Sequence, residues 1–151
     1  MSGWLLDTNV ISELARPGCD PRVAAWARAE DEDRLLISVL TLGEYDKGIA
    51  NLREGSPARA RIAAAVASLE ARFAGRIVAL DDATVRRWGR ISGTVQRKTG
   101  RAPPMIDTLL AASAIENDLV LVTRNIGDVR ASGAPLFDPW NDDPAGLGPV
   151  R

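Results

Sequence analysis

The sequence predicts one α/β domain in which a parallel sheet is covered by helices on both faces. Three observations predict it. Short, almost wholly apolar runs of strand length recur at Trp4–Leu6, Leu35–Val39, Ile77–Leu80 and Leu119–Val122, and such uniform runs suit strands buried on both faces. Between them lie segments whose apolar residues repeat at helical spacing, and this alternation is the pattern of a parallel α/β sheet. Finally, 151 residues with an ordinary apolar fraction of 46% suffice for a single core that needs no disulfide or metal staple.

The elements follow in order. Trp4-Leu5-Leu6 is a strand ending at Asp7-Thr8-Asn9, after which Val10, Ile11 and Leu14 make a helix stopped by Pro17-Gly18. Asp20-Pro21 combines an N-cap with proline in the first helical position and opens a helix through Val23, Trp26 and Ala27. The acidic run from Glu30 to Asp33 reads as loop, and Leu35–Val39 as the second strand. Leu42, Tyr45, Ile49 and Leu52 mark a third helix, and Ser56-Pro57 caps a long alanine-rich fourth; the two are expected to form a hairpin.

Ile77–Leu80 is the third strand, and Asp82 is placed to cap a helix through Val85, Trp88, Ile91 and Val95 that gives way at Thr99-Gly100-Arg101. Pro103-Pro104 set up a helix from about Ile106 to Asn117. Leu119–Val122 is the fourth strand, with a polar end at Thr123-Arg124-Asn125, and Leu136-Phe137 adds a short fifth. Residues 1–140 form the domain, while 141–151, with two prolines and two glycines, read as a loose tail. No apolar run approaches the roughly 20 residues of a membrane span, and the N-terminus lacks a signal-like pattern, so a cytoplasmic location is expected.

Composition then limits the chemistry. There is no histidine and a single cysteine, Cys19. That excludes catalytic pairs built on histidine, histidine- or thiolate-bound zinc, iron–sulfur clusters and an internal disulfide. Acid–base or metal chemistry must rest on carboxylates, which prefer hard cations such as Mg²⁺ or Mn²⁺. Charge is unevenly placed: residues 53–101 hold 11 basic and 4 acidic side chains, a local charge of +7, against −4 in each flank. A positive middle beside acidic ends suits a polyanion bound next to a carboxylate site, or equally a solvated arginine-rich helix face.

Four acids stand out, each with a plainer explanation. Asp7 follows the first strand, where it can cap the next helix. Glu44 completes Thr41-Leu-Gly-Glu, which fits a capping box. Asp107 falls in a first helical turn, where the helix dipole favours negative charge. Its helical neighbours Leu110, Ala111 and Ala114 are apolar and small, however, so it points toward packed protein, and a carboxylate there needs hydrogen bonds, a counter-charge or a metal. Asp128 lies in a polar turn after the fourth strand. Taken together, Asp7 and Asp128 follow strand ends, and Glu44 and Asp107 open helices. All four are therefore expected at the carboxyl edge of the sheet, where open α/β sheets bind ligands. Such a cluster repels itself unless one or two divalent cations intervene.

The segments Leu-Leu-Asp7-Thr-Asn-Val-Ile-Ser-Glu-Leu, Thr-Leu-Gly-Glu44, Pro-Met-Ile-Asp107-Thr-Leu-Leu-Ala-Ala and Val-Thr-Arg-Asn-Ile-Gly-Asp128 together resemble a PIN domain, with the nearest resemblance to VapC and FitB-like toxins, over about residues 4 to 140. The resemblance implies a three-layer α/β/α sandwich and a Mg²⁺- or Mn²⁺-dependent endoribonuclease that leaves a 5′-phosphate and acts as toxin of a type II toxin–antitoxin pair. It implies Asp7, Glu44, Asp107 and Asp128 as catalytic and metal-binding residues, with Asp7 and Asp107 the principal ligands and Asn125 able to stand in for Asp128. Thr8, Asn9, Thr123 and Asn125 are implied as supporting polar or phosphate-contacting residues. A homodimer is implied, as is a small antitoxin that inserts into the acidic groove. Val129 departs from the family pattern, which often has an aromatic residue after the last acid. Arg86, Arg87, Arg97 and Arg101 are candidates to hold the RNA backbone. Two rival readings share the residues: a metal-dependent hydrolase of small phosphorylated molecules, and a catalytically idle domain that binds RNA or a protein.

Overall fold

The structure, a computed structural model, describes residues 3–143. Five strands, β1 (Gly3–Leu6), β2 (Leu35–Ser38), β3 (Ile77–Val78), β4 (Leu119–Val122) and β5 (Leu136–Phe137), form one parallel sheet in the order β3-β2-β1-β4-β5. The helices are α1 (Thr8–Ala15), α2 (Pro21–Ala29), α3 (Val39–Ala50), α4 (Pro57–Arg72), α5 (Asp82–Thr99), α6 (Met105–Glu116) and the single turn α7 (Ile126–Val129). None is long and apolar enough to cross a membrane among the described residues.

Side chains that alternate along each strand divide the core into two layers. Trp4, Leu6, Leu35, Ile37, Val120 and Val122 face α1 and α2, with Leu69 and Phe73 from the end of α4. Leu5, Leu119 and Leu121 face Leu110, Ala111 and Ala114 of α6, and α5 packs on α6. The result is the expected three-layer sandwich. Trp4, Trp26 and Phe137 meet with ring centroids 5.4 Å apart. Gly3 lets two strands approach, because a Cβ there would lie 2.7 Å from the Arg34 carbonyl oxygen.

Several boundaries differ from expectation for identifiable reasons. Val39 belongs to α3, because the Ser38 hydroxyl accepts a hydrogen bond from the Leu40 amide and caps the helix. Strand β3 stops at Val78 because its only neighbour, β2, ends at Ser38, leaving Ala79 no strand to pair with. The cap of α5 is Asp81, whose carboxylate accepts from the Thr84 amide at 2.9 Å; Asp82 is already helical and pairs with Arg86. The acidic loop contains a 3-10 turn at Glu32–Arg34. Of the expected tail, Asn141 and Asp142 bond to Asp138, and residues 144–151 lie outside the described residues.

Candidate active site

Parallel strands release their chain ends along one edge of the sheet, and four chain segments meet there. Asp7 leaves β1 and caps α1; it is 6% exposed. One carboxylate oxygen accepts from the Thr8 amide at 2.6 Å, and the other from the Thr123 hydroxyl at 2.8 Å and the Asn9 amide group at 3.2 Å. The capping role and the site role therefore coincide in one side chain. Burial raises its pKa above the ordinary value; the bonds from Thr123, Thr8 and Asn9 oppose that rise, and Glu44 adds repulsion.

Thr123, at the end of β4, is 1% exposed. Besides donating to Asp7, its oxygen accepts from the Asn125 amide at 3.0 Å, and the Asn9 side-chain oxygen accepts from the Arg124 amide at 3.3 Å. Thr8, Asn9, Thr123 and Asn125 thus form one polar lattice that stitches the ends of β1 and β4 together.

Glu44 reaches the same place by another route. The Thr8 hydroxyl donates to Glu44 Oε1 at 2.8 Å, and Thr41 Oγ1 lies 3.0 Å from the same hydroxyl. A hydroxyl carries one proton, so Thr41 donates to Thr8 and Thr8 to Glu44. The expected capping box does not form. Ser38 is the cap of α3, which puts Thr41 in its first turn and Glu44 in its second, correcting the first-turn position expected for the acid. Three residues apart, Thr41 and Glu44 share a helix face and point at the start of α1. The Thr-x-x-Glu spacing was readable, but its partner is a side chain 36 residues upstream, not the local backbone. Thr41 is the site residue that sequence reasoning assigned elsewhere.

Asp107 is the third residue of α6, half-buried as the small, apolar face of that helix requires, and it accepts no hydrogen bond among the described residues. Its pKa is pushed up to about 6 by burial first, then by the charges of Asp7, Asp128 and Glu44. No basic group contributes to that shift. Asp128 stands exposed on α7. Asp107 thus experiences all three other acids, which brings the four expected carboxylates to one edge. They are not drawn into a cage: among the described residues no three acidic side chains are gathered tightly enough to enclose a cation. The donors are all oxygens, which suits a hard divalent ion.

The candidate arginines do not all stay free. Arg86 pairs with Asp82 and Arg87 with Glu116, whereas Arg97 and Arg101 are exposed. Beside Glu44, Ile11, Tyr45, Leu52, Ile62, Val66 and Leu69 line an apolar groove of about 520 Å³.

Comparison with known proteins identifies the family and the fold. The PIN domain family pattern matches residues 4–130. The chain is 32% identical over 138 residues to toxin FitB of Neisseria gonorrhoeae, covering 91% of this chain and 99% of that protein. It is 29% identical over 137 residues to the VapC ribonuclease Y4jK of Sinorhizobium fredii, covering 90% and 96%. Among solved structures, FitAB bound to an IR36 DNA fragment superposes with a TM-score of 0.81 at 30% identity, covering 93% of this chain and 97% of that one.

Proposed function

This chain belongs to the PIN-domain family, and on that premise we propose that it is a metal-dependent endoribonuclease, the toxin of a toxin–antitoxin pair. The observation that carries the reading is Asp107 itself, half-buried with no hydrogen bond or basic partner among the described residues and within the field of Asp7, Asp128 and Glu44 from three other elements. A fold keeps such an arrangement at a cost in stability, which function explains and packing does not.

Asp7 and Asp107 would hold Mg²⁺ or Mn²⁺, with Glu44 and Asp128 completing the set. Bound there, the ion supplies a water of lowered pKa and charge stabilisation at the phosphate. The chain's own residues prepare that site. Thr8, Asn9 and Thr123 fix both oxygens of Asp7, so its orientation is set before anything binds. Thr41 and Thr8 relay a hydroxyl chain that holds Glu44. The half-burial of Asp107 limits the water competing for it.

The name toxin FitB and the FitAB complex support a partner protein for this chain too. We place its inserted segment in the groove between α1, α3 and α4, which is mostly apolar, with Glu44 and Arg16 the charged residues of its lining. A homodimer is part of the same reading.

The test is cleavage of purified total RNA with Mg²⁺ or Mn²⁺, with EDTA, and by an Asp107→Asn variant. Discrete fragments that require the metal and are absent from the variant are the expected result. Well-folded, partner-free protein that leaves RNA intact under all conditions overturns the ribonuclease reading.

A further inference from the structure

Arg124 follows Thr123 directly, yet it lies outside the basic middle of the sequence. Its backbone amide is bonded to Asn9, which also bonds Asp7, so its main chain is part of the lattice that holds the site. Its side chain is exposed, and its guanidinium carbon sits 5.0 Å from the ring centroid of Trp140. It makes no ion pair among the described residues, although it directly follows Thr123, which supports Asp7.

The stack explains why the guanidinium stays unpaired. Trp140 is 9% exposed, belongs to the aromatic core and has its amide bonded to Asp138 at 2.9 Å, so it is a fixed platform. The acids beside it are committed locally: Asp138 accepts from Trp140 and Asn141, and Asp142 accepts from the Asp138 amide. A guanidinium over the face of an indole, with no carboxylate partner among the described residues, has N–H groups left for a phosphate.

Its location follows from the strand order. Asp7 ends β1, Thr123 ends the adjacent β4, and Trp140 follows β5 on the far side of β4. Neighbouring strands are about 4.8 Å apart, so the stack lies on the order of two strand spacings from Asp7 along the same edge. That puts a positive guanidinium on the same edge as the carboxylates.

We propose that Arg124, stacked on Trp140, grips the RNA phosphate adjacent to the scissile one and thereby sets how the strand lies across the four acids. The proposal rests on the ribonuclease reading above. It also assigns the backbone contact to a residue outside α5, where Arg86 and Arg87 are occupied by carboxylates.

The experiment measures binding of a fluorescein-labelled, mixed-sequence single-stranded RNA to the Asp107→Asn protein across a range of salt concentrations. Adding Arg124→Gln should weaken binding about tenfold and lower the slope of log affinity against log salt by about one, the signature of one lost phosphate contact. Arg124→Lys should restore the slope but not the whole affinity, because an ammonium neither forks nor stacks in the same way. Trp140→Phe should retain the slope and give an intermediate affinity, with its thermal midpoint measured alongside. Unchanged affinity and slope in Arg124→Gln overturn the proposal while leaving the ribonuclease reading intact. Unchanged RNA binding with a weakened complex with a co-expressed antitoxin reassigns Arg124 to a protein contact and also overturns it. If the Asp107→Asn parent binds no RNA, the ribonuclease reading falls, and this proposal with it.

Discussion

The end of β1 and the start of α6 each deliver an aspartate to the same edge, but they support it in opposite ways. Asp7 is buried and receives three hydrogen bonds, from Thr8, Asn9 and Thr123. Asp107 is half-buried, receives none among the described residues, and is repelled by the other three acids. One carboxylate is part of the architecture that positions it; the other is tolerated by the architecture and burdens it. Asparagine at the two positions should therefore have the same effect on activity and opposite effects on stability, because at Asp7 the amide disrupts the hydrogen bonds made to the carboxylate, whereas at Asp107 it only relieves repulsion and burial of charge.

The largest expected effect tests that contrast directly. Asp7→Asn and Asp107→Asn should each reduce metal-dependent RNA cleavage by about a hundredfold or more. In EDTA, Asp107→Asn should raise the denaturant midpoint by relieving repulsion, whereas Asp7→Asn should lower it, since an amide cannot accept every bond now made to the carboxylate. Equal shifts of the two midpoints would erase the distinction.

Removing Thr123 comes next. Thr123→Val deletes the hydroxyl that donates to buried Asp7 and accepts from Asn125, and should cost about 1–3 kcal/mol in urea unfolding. Thr8→Val frees Glu44 but exposes no buried charge, so cleavage should fall about 10-fold or more while the midpoint moves less.

The pH dependence sharpens the same comparison. In the folded state Asp107 has a pKa of about 6, above the value of 3.8 for the free side chain. Its contribution to stability is fully present below the unfolded value and is lost as pH rises through 6. Metal-free protein should therefore be more stable near pH 4.5 than near pH 7 with respect to this group, by about 1 kcal/mol once solvent screening of a half-exposed acid is allowed for. Asp107→Asn should flatten that slope, and Mg²⁺ should offset the loss at neutral pH only in the parent. A slope unchanged by the substitution would show that the repulsion is not centred on Asp107.

The smallest effect concerns Glu44. Because Ser38, not Thr41, caps α3, Glu44→Gln should change stability by less than about 0.5 kcal/mol, while Ser38→Ala should cost about 1 kcal/mol. A cost at Glu44 as large as that at Ser38 would restore the capping box.

Much of this was legible in the sequence. The apolar runs gave the strands and their parallel arrangement, since only strands buried on both faces are so uniformly apolar. Asp20-Pro21 and Ser56-Pro57 opened α2 and α4 where expected, because an N-cap followed by proline is a local signal that needs no tertiary help. The small face around Asp107 correctly implied a carboxylate turned toward packed protein. Boundaries that depend on pairing were less legible: whether Ala79 continues β3 is decided by where β2 stops, and that in turn by the Ser38 cap.

The sequence by itself determined the layers of this protein, the edge toward which its four acids are delivered and the fact that their donors are all oxygens. These follow from periodicity and from which side chains exist at all. Only the tertiary structure decided that Thr41 and Thr8 hold Glu44, that Thr123 supports Asp7, and that Arg124 lies on Trp140 instead of pairing with an acid. Each of those contacts joins residues far apart in the chain or turned by a neighbouring strand, and their partners exist only once β2, β1, β4 and β5 lie side by side.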